Sequence, residues 1–216
     1  MPDQPHTPVT GSVATRPLRL GMHGSPHLAR SILAKAGLLP GEAELVPYDV
    51  RDPFGPLRAR QVDVMIVKYT LQEPDIAFSR PVALDTRAVI VGAGHPLAAR
   101  ESVSLEDVAG YDAFERPGDF PPNVWDLVVP RTTPGGRPIR RVHPMTTLAA
   151  MAAVLADGRS VHVSFLSLAD ALPPGTVAVP VHDLPPAPVA LAWLRGEAQP
   201  AAVTRLVSGA EQEESR

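Results

Sequence analysis

The stretch Val89-Ile-Val-Gly-Ala-Gly-His-Pro-Leu-Ala98, followed by Ser104-Leu-Glu-Asp-Val-Ala-Gly110, carries the clearest structural signal in this chain. A β-branched run that ends in a Gly-rich turn predicts a strand. Ser104 then stands at the N-cap of a short helix, with Glu106 and Asp107 in its first turn, where acidic side chains favour the positive end of the helix dipole. The stretch therefore predicts a strand, a turn and a capped helix in succession.

Similar strand and helix cycles extend from this stretch in both directions. Before it we predict strands at 18–22, 44–48, 62–67, 76–82 and 86–91 and helices at 26–37 and 53–61. After it we predict strands at 111–115, 140–143, 160–165, 176–181 and 189–194 and helices at 122–129, 146–156, 166–172 and 199–210. Near-continuous apolar strands separated by helices are typical of parallel sheets covered on both faces. The pattern predicts an α/β fold of two Rossmann-like lobes with a cleft between them.

Composition limits the classes of protein that this chain can belong to. Its 216 residues can form one large domain or two small lobes, and a net charge of −3 gives no overall basic field for non-specific nucleic-acid binding. Because the chain has no cysteine, it has no disulfide, no thiolate nucleophile and no zinc–thiolate site. We find no secretory signal and no apolar run of about 20 residues, and we therefore expect a cytoplasmic protein.

Four motifs, taken in order, resemble the effector-binding domain of LysR-type transcriptional regulators. They are the opening stretch, Asp52-Pro-Phe-Gly-Pro-Leu-Arg58 before the strand at 62–67, Ala156-Asp-Gly-Arg-Ser-Val-His162, and Leu184-Pro-Pro-Ala-Pro-Val-Ala-Leu-Ala-Trp193. The resemblance covers about residues 18–210 and implies a type 2 periplasmic-binding-protein fold. On this basis we expect lobe I at 17–110 and 196–212, lobe II at 111–195, and a disordered tail at 1–16.

The resemblance leaves out the DNA-binding part of such regulators. The 16 residues of the expected tail are Pro-containing and aperiodic, so none of them supplies a recognition helix. We therefore expect a stand-alone effector-binding domain that makes no direct contact with nucleic acid or membrane. Any regulatory output would then pass through a homodimer or a partner regulator.

In lobe I, the candidate ligand-binding residues follow predicted strands. Met22 ends the first strand, and His23 and Ser25 follow it. Ser25 and the free amides of a helix N-terminus could accept an anion there; Ser25 could equally only cap its helix, and His23 could face water. Lys68 and Tyr69 end the third strand. Lys68 could neutralise an acidic ligand or form a Schiff base, or it could pair on the surface with Glu73 or Asp75. In the first case, Lys68→Met weakens ligand binding with little effect on stability.

In lobe II, Thr146 and Thr147 begin a helix that faces the first one across the expected cleft. His162 and Ser164 alternate with valines on a strand, so one of its faces is polar and should point into the cleft or toward a satisfied network. Glu115 ends another strand, where it could add charge to the cleft or contact its neighbour Arg116.

These residues predict reversible binding of a small anionic or polar metabolite, and the resemblance implies a role in transcriptional regulation. The alternative is an enzyme of specialised metabolism (a lyase, isomerase or cyclase) that reuses the cleft for acid/base chemistry, and its catalytic residues are not identified. No Gly-x-Ser-x-Gly elbow, phosphate loop or dinucleotide fingerprint is present, and no His, Asp and Glu cluster has metal-ligand spacing. We expect no cofactor and no metal.

Overall fold

Parallel strands from the N-terminal part of the chain form the centre of lobe I. The structure is a computed structural model that describes residues 16–71, 73–196 and 198–212. The elements of lobe I are β1 (Leu18–Met22), α1 (Pro26–Lys35), β2 (Ala43–Pro47), α2 (Gly55–Arg58), β3 (Val64–Lys68), β4 (Ile76–Phe78), β5 (Ala83–Asp85), β11 (Ala187–Leu194) and α6 (Ala201–Ala210). Among the described residues they form one sheet of order β2-β1-β3-β11-β4, with β5 also beside β11.

Strand direction brings the carboxyl ends of neighbouring strands to one edge of this sheet. β1 is parallel to both β2 and β3, whereas β11 is antiparallel to β3, β4 and β5. The carboxyl ends of β1 and β2 therefore lie at the same edge, as expected for the helix-linked strands of an α/β sheet. The last helix returns to the first, because α1 and α6 share one apolar core with β1 and β11.

Lobe II is formed by the middle of the chain. Its elements are β6 (Arg87–Gly92), α3 (Leu105–Val108), β7 (Asp112–Phe114), α4 (Pro122–Val128), β8 (Arg140–His143), α5 (Leu148–Leu155), β9 (His162–Phe165), a 3-10 helix (Leu166–Ala171) and β10 (Thr176–Pro180). β6 lies between β10 and β9, with antiparallel pairing on both sides, and β7 pairs with β8. A bridge between Asp112 and Ser160 links β7 to the segment just before β9.

Strand pairing corrects the lobe boundaries that we expected at 110/111 and 195/196. β6 pairs with β9 and β10, and therefore belongs to lobe II. β11 pairs with β3 and therefore belongs to lobe I. The chain thus enters lobe II between Asp85 and Arg87 and returns between Pro180 and Ala187. Both strands are largely apolar, and an apolar run does not by itself indicate which sheet the strand will join.

The opening stretch forms the elements that its residues predict. β6 is buried along its whole length, and α3 follows with a capping box. The amide of Glu106 donates to Ser104 Oγ at 2.9 Å, and the amide of Ser104 donates to Asp107 Oδ2 at 3.1 Å. This reciprocal pair satisfies two amides that would otherwise lack partners at the helix start. His95 in the turn accepts a 3.1 Å hydrogen bond from the Leu97 amide through Nδ1.

Several elements differ in length or type from the prediction. α2 is a single turn where a helix at 53–61 was expected, because Arg60 adopts a left-handed conformation and ends it. The helix expected at 166–172 is a 3-10 helix at Leu166–Ala171. Of the tail predicted at 1–16, residues 1–15 lie outside the described residues, while the guanidinium of Arg16 pairs with Asp63 at 2.7 Å. None of the helices in the described part of the chain combines the length and the apolarity needed to cross a bilayer.

Candidate functional site

A cavity of about 610 Å³ lies between the two lobes. Residues after β1 and β2 form one wall, while β6, β9, α4, α5 and the 3-10 helix supply the other. Its size is that of a small-molecule site, and most of its lining side chains are apolar. The lining side chains that carry charge or hydrogen-bonding groups include His23, Asp49, Arg51, Thr146, Thr147, His162 and Ser164.

His23 lies on the lobe I wall because it directly follows β1. The next residue, Gly24, has a φ of +87°, which turns the chain from the strand into α1. The His23 ring packs beside Tyr48, with ring centroids 5.9 Å apart, and its Nδ1 lies 3.4 Å from the Tyr48 carbonyl oxygen. Burial, helped by the nearby Lys68 ammonium, lowers the pKa of His23 to about 4. The ring is therefore neutral at pH 7.

His162 is a buried polar residue of the opposite wall. It is only 5% exposed, and it stacks on Trp125 with an interplanar angle of 22° and a centroid distance of 6.2 Å. Burial, with a smaller effect of His23, lowers the pKa of His162 to about 4, so this ring is also neutral at pH 7. Within the described residues, His162 Nδ1 and Trp125 Nε1 are both buried without a hydrogen-bond partner.

The N-terminus of α5 forms the exposed end of the lobe II wall. Thr147 is its N-cap, and its Oγ1 accepts a 3.1 Å hydrogen bond from the Ala150 amide. Thr146 and Thr147 are both exposed and line the cavity beside Met145 and Met151. The cap uses one oxygen lone pair, so the Thr147 hydroxyl can still donate a hydrogen bond to a ligand.

An ion pair stands in the loop after β2. Arg51 Nε donates to both oxygens of Asp49, at 3.0 and 2.8 Å, and its terminal nitrogen makes a further contact with the same carboxylate. Both side chains are about half exposed. The charged side chains that line the described cavity therefore neutralise each other.

Comparison with known proteins identifies the family. Residues 42–213 match the family of LysR substrate binding domains. The chain belongs to this family. The match confirms the resemblance carried by the four motifs, and with it the α/β, two-lobed, type 2 periplasmic-binding-protein fold.

Solved structures of LysR-family proteins have the same fold. The chain is similar to CbnR, a LysR family transcriptional regulator (17% identity, TM-score 0.67, covering 89% of this chain and 68% of CbnR). It is similar to the effector binding domain of QuiR in complex with shikimate (18% identity, TM-score 0.63, covering 89% and 94%). It is also similar to the BenM effector binding domain with its effector benzoate (16% identity, TM-score 0.60, covering 89% and 89%). At these identities the likeness concerns the fold. No significant match to a curated protein was found.

Six of the ten ligand-binding residues predicted for this LysR substrate-binding domain line the cavity: Met22, His23, Thr146, Thr147, His162 and Ser164. They come from three separate segments of the chain. The strand alternation on β9 accounts for the last two, since the intervening Val163 packs in the lobe II core.

Ser25 and Lys68, two further predicted ligand-binding residues, do not line the cavity. Ser25 Oγ accepts a hydrogen bond from the His27 amide and donates one to Asp170 Oδ2, both at 3.2 Å, so it caps α1 and ties lobe I to lobe II. The Lys68 ammonium lies 3.3 Å from Asp85 Oδ2, and both side chains are largely buried. Lys68 is therefore paired with Asp85 rather than with the expected surface partners Glu73 or Asp75, and its charge is not free to neutralise a ligand. Strand pairing brings the distant Asp85 to this lysine.

Tyr69 and Glu115 also lie outside the cavity lining. The Tyr69 hydroxyl accepts a 3.0 Å hydrogen bond from buried Arg87 and lies 3.4 Å from the Leu127 carbonyl, to which it donates. Tyr69 thus joins the two lobes where the chain crosses between them. Glu115 is exposed just beyond β7, because the end of that strand faces solvent.

The prediction missed several residues that the cavity uses. Tyr48, Asp49 and Arg51 follow β2, and the rule that parallel strands end at a common edge could have identified them. Trp125 on α4 carried no such signal, because a lone aromatic residue on a short helix is usually part of the core. The described residues contain no group of three His, Cys, Asp or Glu side chains that could hold a metal ion.

Proposed function

We propose that this chain binds a small organic molecule reversibly in the interlobe cavity and serves as the effector-binding part of a transcriptional regulatory system. The observation that carries the proposal is a cavity of about 610 Å³ lined by both lobes, with His23, Thr146, Thr147 and His162 among its lining residues. Family membership supports it, as do the shikimate and benzoate complexes of the similar QuiR and BenM domains.

The residues proposed to contact the effector are those that line the cavity and carry polar atoms. His23 and His162 offer ring nitrogens, while Thr146 and Thr147 offer hydroxyl groups at a helix N-terminus. A molecule that touches both walls would favour the closed arrangement of the lobes, and closure is the conformational output of such a site. A cytoplasmic location, a homodimer or partner regulator, and the lack of direct DNA contact remain predictions.

A thermal-shift screen tests the proposal. The panel contains aromatic and aliphatic carboxylates together with uncharged ring compounds, and a true ligand raises the melting temperature in proportion to its concentration over Kd. His23→Ala should abolish the shift, whereas His27→Ala, a histidine exposed on the neighbouring helix, should leave it unchanged. Shifts that are equal in both variants, or a panel without any saturable shift, would contradict binding in this cavity.

The enzyme alternative is tested on the same hits by incubation and mass spectrometry. A general base works best with a pKa near the operating pH, and both cavity histidines have a pKa of about 4. A hit that returns unchanged supports a binding module. A hit that is consumed, and is spared in His162→Ala, would show that the cavity is an active site.

A further inference from the structure

Ser164 places an open hydroxyl without a partner on the cavity wall. The residue lines the cavity although it is only 4% exposed, and its neighbour Val163 packs in the lobe II core. Within the described part of the chain its Oγ makes no hydrogen bond. The buried side-chain atoms there that lack a partner and are closed to solvent belong to other residues, namely Arg19, His95, Trp125, Arg141 and His162. The Ser164 hydroxyl is therefore open to the cavity and free to donate.

His162 places a second donor on the same face of β9. Its Nδ1 is closed to solvent and has no acceptor among the described residues, so the neutral ring carries its proton on Nε2. The Nε2 atom has no partner among the described residues either, and it is open to the cavity that His162 lines. Residues two apart on a strand point to the same side, with Cα atoms about 7 Å apart. Ser164 Oγ and His162 Nε2 can therefore donate to the two oxygen atoms of one carboxylate.

A buried cation without a carboxylate of its own lies behind these two donors. Arg87 is 1% exposed, and its hydrogen bonds go to uncharged oxygen atoms: the Ser164 carbonyl at 3.3 Å, the Tyr69 hydroxyl at 3.0 Å, the Leu127 carbonyl at 3.1 Å and the Val128 carbonyl. Asp85, two residues earlier, is already paired with Lys68 at 3.3 Å. Arginine stays protonated in proteins, and buried charges are normally paired, so Arg87 leaves one positive charge in this cluster without a partner.

This positive charge acts on the cavity. The Phe165 ring lines the cavity, and its centroid lies 4.7 Å from the Lys68 ammonium and 5.1 Å from the Arg87 guanidinium. The Lys68 ammonium is also, after burial, a cause of the low pKa of His23 on the opposite wall. Two cations and the single carboxylate of Asp85 leave the cluster with a net positive charge. In a poorly hydrated cavity such a charge favours an anionic ligand.

The donors on β9 are better suited to the charged group of a ligand than the N-terminus of α5. Thr146 and Thr147 are exposed, so water already serves the donors at that end of the cavity. Ser164 and His162 are buried, and a buried donor without a partner gains more from a ligand than a hydrated donor does. Asp170, on the 3-10 helix that follows β9, is exposed, and solvent screens its negative charge.

From these contacts we infer that the cavity takes a monocarboxylate with an apolar body, whose carboxylate accepts hydrogen bonds from Ser164 and His162 and is balanced by the buried Arg87. The inference rests on the proposed function and adds the ligand class and the position of its charged group. Met151 and Leu168 are among the side chains that supply apolar surface for the rest of the molecule. A second carboxylate would find no further unpaired cation among the described lining residues, because Asp49 and Arg51 are paired with each other.

Matched acids and amides test the ligand class on the wild-type protein. The pairs are benzoate with benzamide, 2-naphthoate with 2-naphthamide, and hexanoate with hexanamide; the members of a pair share one body and a planar head group and differ in charge. In calorimetric titrations at pH 7 we expect at least one acid to bind, and to bind at least about tenfold more tightly than its amide. The dicarboxylate with the same body (isophthalate, 2,6-naphthalenedicarboxylate or adipate) should bind more weakly than that acid.

Ser164→Ala tests the position of the charged group, because it removes the hydroxyl and little volume. It should weaken the tightest acid about ten- to a hundredfold and the matching amide only about two- to tenfold. Thr146→Ala should weaken the acid less, by about two- to threefold, and Ser31→Ala, at an exposed position of α1, should leave it unchanged. If the Ser164 variant does not fold, NMR of the histidine ring nitrogens in the wild-type protein decides, since the bound acid should shift His162 Nε2 strongly.

The outcomes that overturn the inference are distinct from those that overturn the proposed function. Amides that bind as tightly as their acids would refute an anionic ligand and still support effector binding. A larger loss of acid affinity in Thr146→Ala than in Ser164→Ala, or an unmoved His162 Nε2 signal, would place the charged group elsewhere and refute the position on β9. No saturable binding of any of the six compounds at millimolar concentration would overturn the inference, and the broader screen would then decide the proposed function alone.

Discussion

Replacement of Lys68 by Met should destabilise this protein strongly, although the sequence suggested little effect. The ammonium lies 3.3 Å from Asp85 Oδ2, the two side chains are 11% and 5% exposed, and the ammonium also sits over the Phe165 ring. Breaking a buried ion pair by removing one partner costs about 3–5 kcal/mol, because the other charge stays buried. Asp85 keeps hydrogen bonds from the amide and hydroxyl of Ser167, at 3.2 and 2.6 Å, so we expect the lower end of that range.

A loss of about 3 kcal/mol should be easy to measure by chemical and thermal unfolding. For a chain of this length each kcal/mol lowers the melting temperature by about 2–4 °C, which gives a decrease of about 6–12 °C. Lys35→Met is the matched control. Lys35 is exposed and donates to the Val82 carbonyl at 3.3 Å, so its loss should cost less than about 1 kcal/mol.

A double-mutant cycle separates the ion pair from other effects of the substitution. Asp85→Asn removes the stranded charge, so Lys68→Met combined with Asp85→Asn should be more stable than the sum of the single losses predicts, by at least about 1 kcal/mol. If Lys68→Met costs no more than Lys35→Met, or if the two effects simply add, the pair contributes nothing and this argument fails.

Two further predictions follow from the cavity walls. His23 and His162 have a pKa of about 4 in the folded state and about 6.5 when unfolded, so the unfolded chain binds more protons between these values. The free energy of unfolding should therefore fall as the pH decreases from 6.5 to 4, by up to about 3 kcal/mol per histidine. His162→Gln should flatten this slope in urea titrations. Gly24→Ala should cost about 1–3 kcal/mol in the same assay, because φ is +87° and the added Cβ would lie 2.1 Å from Leu168 Cδ2. Gly158→Ala, at a φ of +70° with open space around it, should cost only the backbone strain of about 1 kcal/mol. An unchanged pH slope in the histidine variant, or equal losses for the two alanine variants, would contradict these assignments.

Local sequence patterns predicted the structural features that depend on residues close together in the chain. The Ser104 cap and the polar face of His162 and Ser164 follow from rules that reach two to four residues along the chain. Pairing across sheets lies beyond such rules. The partner of Lys68 is Asp85, which sits 17 positions later and reaches the lysine only because β3 and β5 both pair with β11. The lobe boundaries were misplaced for the same reason, since β11 inserts beside a strand more than 100 residues earlier.

Within the described residues, five buried side-chain nitrogens lack a hydrogen-bond partner, on Arg19, His95, Trp125, Arg141 and His162. Arg19 and Arg141 each have a buried Nε without a partner, but their other guanidinium nitrogens pair with Asp63 and Asp126. Trp125 differs from these arginines, since its indole has one polar atom and that atom is unpartnered. His162 stacks against it with a free Nδ1, and both rings form the same wall. Natural sequences tend to break local rules where function requires it, so two unpartnered nitrogens on adjacent side chains that line the cavity support a ligand site there more strongly than either residue alone.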